Sequence, residues 1–131
     1  MRIGLLPGAR RDAMTLEDTV RQVIQAENDG FDSVWFPQMS GFGFDALTII
    51  SMAGVQTERI ELGTAVIPTF PTHPLAMAKQ ALTAQVACCG RLTLGLGLSH
   101  KPSIEGTMGL SYQHPLRHMR EYLTVVRSLV D

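Results

Sequence analysis

The sequence has 131 residues, of which 45% are hydrophobic and 18% are charged, and its formal net charge is −1. This composition is typical of a globular protein with one apolar core, and the near-neutral charge argues against a nucleic-acid or anionic-membrane partner. No run of about 18 apolar residues marks a membrane span. The chain enters an apolar strand directly after Met1, without the features of a signal peptide, so we expect a cytoplasmic protein.

The first part of the chain predicts a strand followed by a helix. An apolar strand is predicted at residues 2–7, where a Pro-Gly pair ends it. A helix is predicted from Leu16 to about Asp29, because apolar residues recur there at spacings of three and four. Thr15 and Asp18 can form a capping box at its start, and Gly30 stands where a C-cap glycine belongs.

The same alternation of strand and helix is repeated three more times. Strands are predicted at residues 33–36, 60–67 and 91–98, and helices begin after Asp45, near residue 74 and near residue 116. The strands are almost continuous apolar runs, as expected when both faces of a sheet are covered, and helical crossovers make neighbouring strands parallel. The sequence therefore predicts an α/β fold of four βα units in one domain, residues 1–131.

Two architectures share this rhythm, the open doubly wound sheet and the closed eight-stranded barrel. Residues 7–12, after the first strand, contain neither a GxGxxG nor a Walker-type phosphate motif, which makes an open-sheet nucleotide binder the weakest alternative. Gly95 and Gly97 either let side chains pack closely inside a barrel or let a ligand approach the backbone. A barrel needs about 200 residues or more, so we expect the N-terminal half of one, in a fragment of a longer product; the alternative is a pair of half-barrels.

The two cysteines, Cys88 and Cys89, are adjacent near a predicted helix end. Neighbouring helical residues point in different directions, and two thiols without a second pair do not make a zinc site. No metal site is predicted.

Four blocks of sequence carry a family resemblance. They read AENDGFDSVWF at residues 26–36, RIELGTAV at 59–66, HPLAMA at 73–78 and GRLTLGLG at 90–97. In this order they resemble the luciferase-like oxidoreductases, over essentially the whole chain. Residues 98–100 and 109–122 resemble the actinobacterial branch that uses the deazaflavin coenzyme F-420.

The resemblance implies a (β/α)8 barrel with a reduced deazaflavin, or alternatively FMN, at the C-terminal ends of its strands. It implies hydride transfer to a small organic substrate or, with FMN, oxygen activation for monooxygenation. It also implies a homodimer formed through the second and third helices. Barrels commonly hold a cofactor phosphate after strands seven and eight, so we expect the isolated chain to bind cofactor poorly. A non-catalytic half-barrel that serves as a dimerisation or binding module is the competing reading.

The resemblance also implies particular site residues. A non-proline cis peptide at Ala65–Val66 would form a bulge behind the cofactor ring. The implied cofactor-binding residues are Leu6, Gln38, Ala65, Val66, Ile67, Gly97, Leu98 and Ser99. Gln38 and Met39 stand where several deazaflavin enzymes have an acid and a histidine, so that proton relay does not transfer, although Gln38 can still form a hydrogen bond.

Histidines supply the remaining candidates for proton transfer. His100 lies at a strand C-terminal end and is the candidate catalytic residue beside Gln38; the alternative is a solvated loop histidine. His73 is expected to shape the turn before a helix. His114, His118, Arg117 and Arg120 either reach a ligand phosphate or face water. An apolar pocket is expected from Met39, Phe42, Phe44 and Phe70.

Overall fold

A computed structural model describes residues 1–7, 15–39, 41 and 43–131. Residues 8–12 of the loop after the first strand, and Phe42 of the expected apolar pocket, lie outside these described residues. Within them every helix is too short or too polar to cross a lipid bilayer.

Strands and helices alternate along the described chain. The strands are β1 (Gly4–Leu5), β2 (Ser33–Phe36), β3 (Glu61–Thr64), β4 (Ile67–Pro68), β5 (Leu92–Thr93) and β6 (Leu96–Gly97). The helices are α1 (Leu16–Asn28), α2 (Ala46–Gly54), α3 (Pro74–Ala87), a π-helix (Pro102–Thr107) and α4 (Pro115–Val130). The third and fourth predicted strands are therefore each divided in two, and the long predicted loop contains the π-helix.

All of the strand pairs are parallel. One sheet has the order β1-β2-β3-β5, and β4 pairs with β6 in a second, short ladder. Val34 is in register with Leu62, which is in register with Leu92; further along, Ile67 is in register with Leu96. Because β4 continues β3 and β6 continues β5, the two ladders make four consecutive parallel strands, which confirms the predicted α/β class.

The core lies between these strands and the helices that cover them. In the larger cluster, Val34, Ile60 and Leu62 are fully buried and pack with residues of α1 and α2, such as Val23 and Ile50. Burying each such side chain contributes about 1.5–3 kcal/mol. A second cluster joins β4 to α3 and α4; its buried members are Leu47, Ile67, Met77, Ala84, Tyr122 and Val126.

The predicted helix boundaries are largely confirmed by their hydrogen bonds. Thr15 and Asp18 form the capping box of α1, and Gly30, with φ +87°, follows its C-cap. Asp45 accepts the Thr48 N–H at 2.8 Å and caps α2. The His73 ring Nδ1 accepts the Leu75 N–H at 3.2 Å, so His73 does shape the turn that begins α3.

Two charged side chains tie the N-terminal ends of the strands together. The Glu27 carboxylate of α1 accepts the backbone N–H groups of Glu58, Arg59 and Ile60, with shortest distances of 3.1, 2.7 and 2.7 Å. Burial raises the pKa of this carboxyl, but the three N–H donors and the Arg59 charge outweigh that effect, so its pKa lies below the usual 4.5. The ionised Glu27 side chain thus attaches the segment that precedes β3 to α1.

Arg91 makes the second tie. Its guanidinium donates to the carbonyl oxygens of Gly54, Thr57 and Ile60 at 2.9, 2.7 and 2.8 Å, and to the Thr57 hydroxyl at 3.1 Å. These acceptors lie at the C-terminal end of α2 and at the entry to β3, where a cation complements the helix dipole. Nearby, Cys88 is fully buried beside Gly54, whereas Cys89 is exposed.

Candidate functional site at the carboxyl ends of the strands

The strand formed by β3 and β4 is interrupted at the Ala65–Val66 peptide bond, which is cis, as the resemblance implied. The Thr64 hydroxyl fills the interruption, since it accepts the Gly95 N–H and donates to the Gly95 carbonyl, both at 2.8 Å. The backbone ladder then resumes, because Ile67 N–H donates to the Gly95 carbonyl at 2.9 Å. Ala65 and Val66 are thereby held as an exposed bulge against the fourth strand.

Two glycines make this bulge possible. A Cβ added at Gly95 would overlap the Thr64 carbonyl oxygen, and one added at Gly97 would overlap Cγ2 of Val66. Close packing between the two strands, one of the two readings of these glycines, therefore accounts for both. Ala65, Val66, Gly95 and Gly97 together form a surface that we call the Val66 wall. It is apolar, it lacks side chains on the fourth strand, and the Val66 side chain on it is 42% exposed.

The segment after β6 folds over the strand ends. Leu98 is half-buried, and Ser99 has a positive φ of +61°. The Tyr112 hydroxyl donates to the Ser99 carbonyl at 3.4 Å. The His100 carbonyl accepts the N–H groups of Ser103 and Ile104 and so begins the π-helix, while the His100 side chain is exposed.

The structure brings together only some of the residues implied by the resemblance. Ala65, Val66, Ile67 and Gly97 meet at the bulge, and Leu98 and Ser99 follow directly. Leu6 is 61% exposed at the end of β1, which β2 separates from β3. His100 makes no side-chain hydrogen bond to another candidate within the described part of the chain.

Gln38 has a structural bond that its sequence position does not reveal. Its side-chain Oε1 accepts the Ala46 N–H at 2.8 Å, which ties the end of β2 to the first turn of α2. Its Nε2 has no hydrogen-bond partner among the described residues. The neighbouring Met39 side chain is 41% exposed.

A cleft of about 290 Å³ opens beside Gln38, between the β2–α2 and β4–α3 connections. Its described lining residues are Gln38, Met39, Asp45, Leu47, Ile67, Pro68, Pro71, Thr72, Met77, Gln80 and Met108. Met39 lines this cleft, but polar residues such as Thr72 and Gln80 line it too, so it is not the apolar pocket that was expected; Phe44 and Phe70 are not among its described lining residues.

Phe70 instead belongs to an aromatic stack at the start of α4. Its ring lies 4.0 Å from the His118 ring at an interplanar angle of 10°, and 5.0 Å from the Tyr112 ring. The His118 Nε2 lies 3.0 Å from the hydroxyl of the buried Thr69. His118 thus packs against the end of β4, while Arg117 pairs with Glu121 at 2.8 Å.

The sequence analysis did not identify Thr64, whose hydroxyl bonds to Gly95 at the bulge, or Thr69, whose hydroxyl lies beside His118 in the aromatic stack. A threonine inside an apolar strand gives no signal of its own, because its role depends on partners more than 30 residues away along the chain. His114 and Arg120 are both exposed to solvent.

Comparison with known proteins identifies relatives of this chain. The family model described as luciferase-like monooxygenase matches residues 1–131. A Mycobacterium tuberculosis protein, provisionally named as a coenzyme F-420-dependent oxidoreductase, is 39% identical over 107 residues, which are 82% of this chain and 30% of that protein. An F-420-dependent glucose-6-phosphate dehydrogenase of Microbacterium testaceum is 33% identical over 117 residues, covering 81% of this chain and 34% of the relative. The chain thus spans about a third of the length of these relatives.

Comparison with solved structures identifies the fold. The oxygenating constituent of 3,6-diketocamphane monooxygenase from Pseudomonas putida, in complex with FMN, has a TM-score of 0.87 at 20% identity over 98% of this chain and 39% of its own. The coenzyme F-420-dependent tetrahydromethanopterin reductase from Methanopyrus kandleri has a TM-score of 0.76 at 24% identity, covering 95% and 38%. The four βα units correspond to the first half of a (β/α)8 barrel, and the chain belongs to the luciferase-like monooxygenase family.

Proposed function

We propose that the protein is an oxidoreductase that transfers a hydride between a reduced deazaflavin, coenzyme F-420, and a small organic substrate. The Val66 wall carries this proposal: Gly95 and Gly97 let Thr64 and Val66 pack directly against the fourth strand, and Val66 then presents an exposed apolar group on which a planar tricyclic ring can lie flat. The names of the two curated relatives support the deazaflavin as the ring that binds there.

The proposed contacts with the cofactor follow from this placement. Ala65, Val66 and Gly97 would back the ring, while Leu98, Ser99, Ile67 and Leu6 would form its surroundings. When bound, the deazaflavin supplies the hydride. Two cations close to the strand ends already have anionic neighbours, since Arg117 pairs with Glu121 at 2.8 Å and Lys101 lies 3.9 Å from Glu105. We therefore expect an anionic cofactor tail to be held elsewhere in the barrel, and the 131-residue chain alone to bind weakly.

Gln38 and His100 are the residues that we propose for substrate and proton handling. The Gln38 amide is neither an acid nor a base, so its role is to donate a hydrogen bond through Nε2. His100 is exposed at the start of the π-helix, where an imidazole can exchange protons with solvent and with a bound substrate.

An FMN-dependent monooxygenase is the alternative function. The likeness to a fold that holds FMN, with a TM-score of 0.87, favours it, and the Val66 wall would accept either tricyclic ring. The two functions use different cofactors, so identifying the cofactor that the protein binds distinguishes them.

We also propose a homodimer formed through α2 and α3, in a cytoplasmic protein whose residues 1–131 are half of one barrel domain. Exposed apolar side chains support this surface, since Val55 is 70%, Leu82 43% and Val86 80% exposed. A groove between α2 and α3, with Met52 and Lys79 among its lining residues, runs along the same face. If dimerisation through this surface were the only function of the chain, it would be a dimerisation module without catalysis.

Titration of the purified protein with coenzyme F-420 and separately with FMN, each followed by the fluorescence of the cofactor, tests the proposal. The intact mass, compared with 14.3 kDa for this chain, shows which form is being measured. We expect F-420 to bind about tenfold or more tightly than FMN. Tighter binding of FMN would favour the monooxygenase, and a dimer of 14.3 kDa chains that binds neither cofactor, even at the weak level expected of the isolated chain, would favour the module.

A further inference from the structure

We propose that the cleft beside Gln38 binds a neutral carbonyl compound, whose oxygen accepts a hydrogen bond from the Gln38 amide. The cleft lies at the carboxyl ends of β2 and β4. Ile67 lines the cleft and also follows the bulge that carries the Val66 wall, so the two features are adjacent. Its use as a substrate pocket rests on the proposed function, but binding of the carbonyl compound alone does not require the cofactor.

The orientation of the Gln38 amide determines what it can bind. The Ala46 N–H donates at 2.8 Å, so the atom that receives it must be the carbonyl oxygen of the side chain. This leaves Nε2, with two N–H donors, on the other side of the amide group. Among the described residues Nε2 has no partner, and a ligand that offers an oxygen acceptor would satisfy it.

The remaining walls of the cleft mix polar and apolar groups, since Thr72 and Gln80 line it beside three methionines. Met39, Met77 and Met108 line the cleft together with Ile67 and two prolines. Methionine side chains are flexible and polarizable, so they adapt to ligands of different outline. The volume of about 290 Å³ lies near the lower end of ligand pockets, which indicates a molecule with one or two rings.

The charge of the cleft argues for a neutral ligand. Asp45 is the one charged residue among its described lining residues. Asp45 Oδ2 already accepts the Thr48 N–H at 2.8 Å and the Thr48 hydroxyl at 2.7 Å, so its negative charge is fixed at the start of α2. A carboxylate or phosphate ligand would be repelled by this charge with no cation in the described lining to offset it, whereas a ketone would not.

Two probe compounds of almost the same shape separate hydrogen bonding from apolar packing. Cyclohexanone carries the carbonyl oxygen, and methylenecyclohexane replaces it with a CH2 group that accepts no hydrogen bond. Each is titrated, without cofactor, into protein labelled with 13C at the methionine methyl groups. We expect cyclohexanone to shift the signals of Met39, Met77 and Met108 but not those of Met1 and Met119, and methylenecyclohexane to bind about tenfold more weakly or worse. Equal affinity for both compounds, or no shift at the three methionines, would overturn the proposal.

A matched pair of variants tests the role of Gln38. In Gln38→Glu one oxygen still accepts the Ala46 N–H, so α2 keeps its start, but the second oxygen replaces the donor. We expect cyclohexanone to bind about tenfold more weakly or worse. Gln56→Glu makes the same chemical change at an exposed glutamine that bonds to the Met52 carbonyl, and we expect the wild-type affinity. Wild-type affinity in Gln38→Glu would overturn the proposal.

The outcomes remain separate from those of the proposed function. The comparison of two compounds on the wild-type protein stands even if a variant fails to fold. Ketone binding without deazaflavin binding would uphold the cleft and overturn the proposed cofactor, whereas deazaflavin binding without ketone binding would do the reverse.

Discussion

The two ends of the parallel sheet differ in how their polar groups are used. At the N-terminal end, the Glu27 carboxylate receives three backbone N–H groups, and the Arg91 guanidinium donates to three carbonyl oxygens and a hydroxyl. At the C-terminal end, Gln38 keeps an unpartnered Nε2 among the described residues, and Val66 and Met39 are exposed. The N-terminal end is held together by these bonds, although the buried Arg91 Nε has no partner among the described residues, whereas the C-terminal end carries the surfaces that we propose for binding.

This difference follows from the direction of the chain. In a βα unit the helix N-terminus lies near the strand C-terminus, so caps such as Asp45 and His73 belong to the same end as the surfaces that we propose for binding. The opposite end gathers helix C-termini and their free carbonyl groups, which Arg91 satisfies for α2. Barrel enzymes place their chemistry at the strand C-terminal ends for the same geometric reason.

Removal of the Arg91 side-chain charge is expected to have the largest effect on stability. Arg91→Met keeps the length of the side chain but leaves the carbonyl groups of Gly54, Thr57 and Ile60 without this donor. We expect a loss of about 3–4 kcal/mol in the free energy of unfolding, measured by urea denaturation. Arg91→Lys should recover part of this loss, because the ammonium can still donate to some of these oxygens.

The control for Arg91 is Arg21→Met, which removes an exposed ion pair with Asp18. We expect a change below about 0.5 kcal/mol. Equal losses in the two variants would contradict the assignment of stability to the network at the N-terminal end.

The tightest packing at the binding end is tested by Gly95→Ala. The new Cβ would overlap the Thr64 carbonyl oxygen, and this backbone atom cannot turn aside as a side chain would. We expect a loss of about 2 kcal/mol in the free energy of unfolding and weaker cofactor binding. Gly106→Ala in the π-helix is the matched control, because apart from its chain neighbours and its own helix backbone no described atom lies within 4 Å of the Cβ position there. A loss as large as that of Gly95→Ala would point to a general sensitivity to added methyl groups.

Glu27→Gln tests whether the N-terminal end depends on a negative charge. The pKa of Glu27 is lowered in the folded state, so its stabilisation is present above pH 4.5 and is lost as the pH falls through the lower folded value. We expect Glu27→Gln to lose about 2 kcal/mol at pH 7 and clearly less at pH 3. If Glu27→Gln lost the same free energy of unfolding relative to the wild type at both pH values, the negative charge of Glu27 would contribute nothing to stability.

The smallest effect is expected at Tyr122, in the second core cluster. Its hydroxyl is buried and has no hydrogen-bond partner among the described residues, and burial raises the pKa of Tyr122 from 10.0 to about 12. Tyr122→Phe should therefore be neutral or more stable by up to about 1 kcal/mol at pH 7. Because the folded pKa is raised, the wild type should lose stability relative to this variant as the pH rises from 10 towards 12; destabilisation of Tyr122→Phe at pH 7 would reveal a partner for the hydroxyl.

The sequence predicted local features well because short-range rules control them. The capping box of Thr15 and Asp18, the Asp45 cap and the positive φ of Gly30 each depend on residues within one turn. The alternation of strands and helices predicted the parallel sheet for the same reason, since each βα unit is specified by its own apolar pattern.

Contacts between distant residues could not be read from the sequence. The breaks in the third and fourth strands depend on Thr64 and Gly95, which are 31 residues apart and bond to each other. Gln38 reaches across a loop to Ala46, and this bond sets the direction of its amide. The sequence predicts a loop where the π-helix lies because Pro102, Gly106, Gly109 and Pro115 interrupt this segment.

The dissociation constant of coenzyme F-420, measured for Glu27→Gln and for Val66→Asp, tests the division between the two ends most directly. Val66 is 42% exposed, so aspartate is tolerated by the fold but places a charge on the Val66 wall. We predict that Glu27→Gln keeps the wild-type affinity within about twofold, while Val66→Asp weakens binding about tenfold or more. Equal affinities for Val66→Asp and the wild type, or a weakening by Glu27→Gln as large as that by Val66→Asp, would contradict the account.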